Sequence, residues 1–144
     1  MATPQIYDAK AVSVIIGGRP LKGFAPDTKV SIAPESDLKS KVVGTDGEVV
    51  ISKINDDTAI VTISMLSSSP DSDYLYGLVA TDQINQGISV FNVFIRDSLS
   101  GRTHEAPESV MWRLPDQSYT TEQPTLEFQI LCVSLLTRNP ERTL

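Results

Sequence analysis

Apolar residues recur at every second position in segment after segment of this chain, a spacing that puts them on one face of a strand rather than along a helix. Residues 58–65 show it most plainly. Ala59, Val61, Ile63 and Met65 fall on one face, and Thr58, Thr62 and Ser64 fall on the other, broken only by Ile60. Residues 89–97 repeat it with Phe91, Val93 and Ile95 against Asn92 and Arg96, with Phe94 intruding on the polar side. Leu126, Phe128, Ile130 and Cys132 alternate with Glu127 and Gln129, and residues 9–16 place Val12, Val14 and Ile16 together. Further strands are expected over 30–33, 48–54 and 109–114. Apolar residues also sit on the nominally polar faces. Such strands need cover on both sides, from a second layer or from another chain.

One segment breaks the pattern. Ser69 is a good N-cap, Pro70 suits the first helical position, and Asp71 and Asp73 lie near the positive end of the helix dipole. Leu75, Leu78 and Val79 follow at helical spacing beside Tyr74, and Gly87 offers a left-handed stop, with an earlier end also open. A single helix among about seven strands predicts a mainly β fold, an antiparallel sandwich or barrel with one helix packed on it.

With 144 residues the chain is expected to form one domain, 1–144. Hydrophobic residues at 40% and aromatics at 6% suffice for a folded core but not a large one. Eighteen acids against twelve bases give a net charge of −6, which argues against a nucleic-acid grip, because that affinity comes mainly from Lys and Arg. Cys132 stands alone in an apolar run, so no intrachain disulfide is expected and the thiol reads as a small buried hydrophobe. Met1-Ala2-Thr3-Pro4 lacks a basic n-region and an apolar h-region, so synthesis in a cytoplasm without a secretory signal is expected. No apolar run has the roughly 20 residues of a membrane helix.

Two connections stand out. Residues 34–47 are polar and charged, with Glu35, Asp37, Lys39, Lys41 and Asp46. As a two-limbed hairpin this segment would project about 20 Å, at ~3.3 Å per residue, and a protrusion of that size is either idle or reaching for a neighbour. Asp46-Gly47 marks a tight turn before the next strand. The second connection is 115–124, with Asp116, Gln117, Ser118 and Thr120, and the polar tail 137–144 is expected to fray or to dock on a partner.

A search for chemistry finds little. His104 is the single histidine, so metal sites built from several histidines are excluded and it reads as a solvated residue in a turn spanning 101–105. There is no Gly-x-Ser-x-Gly elbow, phosphate loop or dinucleotide fingerprint. Asp71-Ser72-Asp73 imitates a calcium loop, but Leu75 replaces the next ligand and Tyr76 occupies the glycine position, so helix capping explains these acids better. Asn55-Asp56-Asp57 lies between two strand signals and reads as a hairpin turn rather than a catalytic pair. Arg96 and Asp97 point to opposite faces of a strand. Trp112 beside Met111 suits a core or an interface, and the bases form no stripe interleaved with aromatics.

The order of these segments resembles the tail tube proteins of contractile-tailed bacteriophages. The resemblance is carried by Gly44-Thr45-Asp46-Gly47-Glu48-Val49, then Ser52-Lys53-Ile54-Asn55-Asp56, then Ala59-Ile60-Val61-Thr62-Ile63. Ser67-Ser68-Ser69-Pro70 enters the family's single helix. Tyr7-Asp8-Ala9-Lys10-Ala11-Val12 and Gly23-Phe24-Ala25 precede it, and Ile95-Arg96-Asp97 with Gly101 and Met111-Trp112-Arg113-Leu114-Pro115 follow. Tyr74 and Tyr76 depart from the family's smaller residues.

The resemblance implies a non-enzymatic virion protein, assembled in the host cytoplasm without metal or other cofactor. It implies a six-membered ring with a shared inner β-barrel, stacked into a tube inside a contractile sheath. Implied partners are other copies, the sheath, the baseplate and tail terminator proteins, and, within the bore, tape measure protein and DNA without specific binding. A membrane is not among them. Residues 34–47 would be the ring-to-ring connector, through Glu35, Asp37, Lys39, Lys41 and Asp46, and Glu48, Asp56 and Asp57 would give the bore its acidity. Tubes of type VI secretion systems and R-type bacteriocins share the fold and are the alternative within the class. A monomeric ligand-binding barrel is the alternative outside it, opposed by the few aromatics and the lack of convergent polar groups.

Overall fold

The computed structural model describes residues 12–24, 30–86, 89–122 and 124–139. The elements are β1 (Val12–Ile16), β2 (Arg19–Pro20), β3 (Val30–Pro34), β4 (Lys39–Val43), β5 (Val49–Lys53), β6 (Ala59–Leu66), α1 (Pro70–Ile84), β7 (Phe91–Asp97), β8 (Thr103–Arg113), β9 (Thr125–Cys132) and β10 (Leu136–Arg138). Residues 9–11 of the expected first strand, and Gly87, lie outside the described residues.

Eight strands form one antiparallel sheet in the order β2-β1-β7-β8-β9-β6-β3, with β10 beside β8, while β4 and β5 pair only with each other. The alternation decides which face is core. Val14 and Ile16, Ala59 through Met65 at every second position, Val93 and Ile95, and Leu126 through Cys132 at every second position are all buried. These residues form nearly all of one apolar cluster, to which Leu75 adds the buried face of the helix. Tyr76 meets Phe128 edge-on with ring centroids 5.2 Å apart.

The sheet curls until its two edges meet. The Leu21 amide donates to the Val14 carbonyl at 2.9 Å, on the β1 side. Two residues later the Gly23 carbonyl accepts from the Leu66 amide at 3.0 Å, and Phe24 bridges to Met65 on β6. A chain can make that step only where the edges lie within about 10 Å, at ~3.3–3.6 Å per residue.

The start of α1 covers this seam. Ser69 caps the helix, accepting from the Asp71 amide at 3.3 Å, and its hydroxyl donates to the Lys22 carbonyl at 2.9 Å. Asp71 is buried and accepts from the Lys22 amide at 2.6 Å and from Arg19 Nε at 2.9 Å. It therefore ties the helix to the seam, beyond the dipole role expected of it. The Arg19 guanidinium lies 4.8 Å from the centre of the Tyr74 ring, whose hydroxyl donates to the Ile16 carbonyl at 3.0 Å. Gly23 has φ +80°, and a Cβ there would collide with the Ser69 side chain, so the seam requires glycine. The helix stops at Ile84, with Asn85 as C-cap and Gln86 at φ 60°.

Three expectations about connections are corrected. Asn55-Asp56-Asp57 is not a hairpin turn: β5 pairs with β4, and β6 lies between β3 and β9. His104 is not in a turn. The turn closes earlier, where Gly101 at φ 76° donates to the Asp97 carbonyl at 2.8 Å, so β8 starts at Thr103 and runs through a bulge around Pro107. A proline fits there because a bulge releases it from donating to the ladder. Thr137 and Arg138 of the expected frayed tail pair with His104 and Thr103 as part of β10.

Candidate assembly interface

The projecting segment is a two-stranded hairpin whose boundaries differ from the expected 34–47. Its limbs are β4 and β5, in register from Lys39↔Lys53 to Val43↔Val49. The Gly44 amide donates to the Glu48 carbonyl at 2.7 Å, the Gly47 amide donates to the Gly44 carbonyl at 3.0 Å, and Gly47 has φ 84°. These bonds define a three-residue hairpin loop of Thr45, Asp46 and Gly47, with glycine in the left-handed position. Because this loop folds β5 back on β4, the second limb is the strand expected over 48–54, not part of 34–47.

Its root is held by Asp56, which accepts from Ser36 Oγ at 2.5 Å, Thr58 Oγ1 at 2.7 Å and the Thr58 amide at 3.1 Å. The Ser36 bond first, then those of Thr58, hold the Asp56 carboxyl below its usual range. Glu35 closes the same root by donating its amide to the Thr58 carbonyl at 3.1 Å.

Every residue of both limbs is exposed. Val42, Val43, Val49, Val50 and Ile51 each keep 53–67% of their surface open. Lys39, Lys41 and Val43 share one face with Lys53, Ile51 and Val49, while Ser40 and Val42 share the other with Ser52 and Val50. The limbs carry three lysines and no acid, and Lys39 stands directly opposite Lys53. Like charges in that position destabilise a hairpin.

The structure thus brings Lys39 and Lys41 onto one face, with Asp46 and Glu48 in the loop region at the tip. Glu35 and Asp37 lie in the approach to β4, and Asp56 and Asp57 lie beyond β5 at the root. Glu48 and Asp56 are at opposite ends of the hairpin, so no single acidic patch joins Glu48, Asp56 and Asp57 within a protomer. The valines were missed by sequence reasoning. A signal was available: Lys-Ser-Lys-Val-Val before the turn is nearly mirrored by Val-Val-Ile-Ser-Lys after it.

The other candidates for chemistry fall into structural places. His104 Nδ1 lies 2.8 Å from Thr137 Oγ1, a cross-strand tie between β8 and β10. Burial first, then Arg102, lowers the His104 pKa. Burial raises the Cys132 thiol pKa. Asp97 accepts from Ser100 Oγ at 2.9 Å, the main cause of its lowered pKa, and caps the 97–101 turn. Trp112 is exposed. Among the described residues no three His, Cys, Asp or Glu side chains could hold a metal, and no helix is long and apolar enough to cross a membrane.

The described residues thus form a curled antiparallel sheet that bears one helix and a hairpin whose strands pair only with each other. The family model for the bacteriophage PhiTE tail tube protein matches residues 1–137, and the chain belongs to that family. No curated protein matches the sequence. Solved structures with the same fold include the following three. The sheath/tube terminator of the extracellular contractile injection system PVC, in its extended state, superposes with a TM-score of 0.70 at 12% identity, covering 95% of this chain and 99% of that one. The tube-terminating cap of the anti-feeding prophage AFP gives 0.69 at 13% identity over 97% and 95%. A chain of the PVC sheath-tube complex, also extended, gives 0.65 at 13% over 95% and 93%.

Proposed function

We propose that this tail tube protein polymerises as stacked six-membered rings into the inner tube of a contractile phage tail, and that DNA leaves the virion through the bore. The observation that carries the reading is the β4–β5 hairpin. A two-stranded hairpin is marginal alone, and this one leaves five apolar residues open on its two faces. An apolar surface of that kind marks a protein interface. The hairpin is the connector between rings, with a wider span than 34–47 and with Lys39, Lys41 and Asp46 on its limbs and tip. Glu35 and Asp37 stand at its approach.

Sheath and tube terminator are the expected outer and end partners, since the structural neighbours come from a sheath-tube complex and from terminators. Baseplate and tape measure proteins complete the set. The bore wall repels DNA through acids, with Asp56 and Asp57 at the hairpin root as candidates, although salt screens this beyond about 8–10 Å. The protein works by assembly, without catalysis.

The test is negative-stain electron microscopy across a concentration range. The intact chain should form rings or hollow tubes. Replacing residues 35–57 by a short Gly/Ser linker should leave circular dichroism of the barrel unchanged and abolish stacking. Normal tubes from that deletion would remove the connector assignment. A second reading, the tube of an injection system that carries no genome, draws on the PVC and AFP likenesses. Nuclease-protected DNA in purified particles separates the two.

A further inference from the structure

The three lysines of the hairpin have no acid on their own strands, and their counterpart can be sought on the outer face of the barrel. Cross-strand register defines that face in rows. Ile15, Phe94, Glu105 and Leu136 form one row across β1, β7, β8 and β10, and Ser13, Arg96, Thr103 and Arg138 form the next. The first row is apolar with a single carboxylate, and it lines an open groove of about 660 Å³. The second row carries two exposed arginines with no ion pair among the described residues.

We propose that the β4–β5 hairpin of one protomer seats in this groove on a second copy, an inference that rests on the tube reading above. The hairpin presents matching chemistry in matching order. Asp46 stands at the tip, Val43, Val49 and Ile51 lie behind it on one face, and Lys41 sits beside Ile51, whereas Glu48, opposite Gly44, belongs to the other face. Alternate residues on a strand are about 6.6 Å apart in both elements, so the rows keep step. Laid along the strands, Asp46 at the tip meets Arg96 and Arg138, the aliphatic residues cover Ile15, Phe94 and Leu136, and Lys41 reaches Glu105 from the neighbouring row. Turned end for end, the hairpin would set its lysines against the arginines, so charge fixes the direction. The helix and the 115–124 connection also hold acids and no base, but they answer only the lysines and leave Asp46 unmatched.

Zero-length carbodiimide coupling, which joins an amine to a carboxylate in contact, tests the docking. It is run on an equal mixture of ¹⁴N- and ¹⁵N-labelled full-length chains under tube-forming conditions. A mixed-isotope Lys41–Glu105 cross-link is expected, and it should be lost in Glu105→Gln. Lys41→Glu and Glu105→Lys should each reduce the sedimenting fraction, and the double reversal should restore it, with unchanged circular dichroism confirming that each variant folds. Tubes whose hairpin lysines couple only to other carboxylates, or an unaffected Glu105→Lys variant, overturn the docking and leave the tube reading standing. Absence of both mixed-isotope coupling and tubes overturns both.

Discussion

Replacing Asp71 by alanine should loosen the seam where the two edges of the sheet meet. The Asp71 side chain is 8% exposed and accepts from Arg19 Nε at 2.9 Å and the Lys22 amide at 2.6 Å. A hydrogen bond to a charged group contributes about 1.5–3 kcal/mol. The Arg19 side chain is 47% exposed, so solvent reduces its share to about 1 kcal/mol. The Lys22 amide, part-buried, loses its acceptor at about 1.5–3 kcal/mol. Together these give about 2.5–4 kcal/mol, a large part of the ~5–15 kcal/mol that holds a typical domain. At about 3–4 °C per kcal/mol for a chain of this size, Asp71→Ala should melt about 8–16 °C below the parent. Asp71→Asn keeps an acceptor for the Lys22 amide and loses only the ionic part, so its shift should be about 3–4 °C. Thermal unfolding followed by circular dichroism, at dilutions where the chain is unassembled, excludes stabilisation by association. An alanine variant that melts no lower than the asparagine variant would refute the assignment of the Lys22 contact as the main tie.

Gly23→Ala should destabilise the same seam, because it adds a Cβ that collides with Ser69 at φ +80°; a melting temperature equal to the parent's would show that the seam can shift. His104 has a lowered pKa in the folded chain, so the unfolded chain binds its proton more readily, and stability should fall as pH drops below the ordinary value of about 6.5. Hydrogen exchange in β10 should then rise between neutral pH and pH ~5 relative to β9, after correction for intrinsic exchange rates, and His104→Gln should flatten that dependence. Cys132 is buried with its thiol pKa raised, so a thiol reagent should label it only under denaturing conditions, and rapid labelling of the native chain would contradict its burial. Asp56 has a lowered pKa, so its clamp on the hairpin root should be fully present above its unfolded value and released as pH falls through the lower value of the folded chain. NMR titration of the Ser36 and Thr58 signals follows this directly, and no response would remove the clamp.

The alternation at 59–65, 91–95 and 126–132 settled which side chains are buried, because side-chain direction on a strand is set by the backbone two residues at a time. Ser69-Pro70 likewise fixed the helix start, and Gly47 fixed the tip of the hairpin, since caps and turns are closed by groups within a few residues. Order along the whole chain carried the family resemblance. Partners were another matter. Nothing local tells β5 to pair with β4 rather than β6; the loop at 45–47 and the pairing of β6 with β3 and β9 decide it together. Asp71 read as a dipole residue, and only folding brought it to Arg19 and Lys22, |i−j| of 52 and 49 away in sequence. The rows through Phe94 and Arg96 exist only once four strands are in register. Period gives a residue its face, whereas its neighbours on that face come from long-range closure, and the surfaces proposed to join protomers are made of such neighbours.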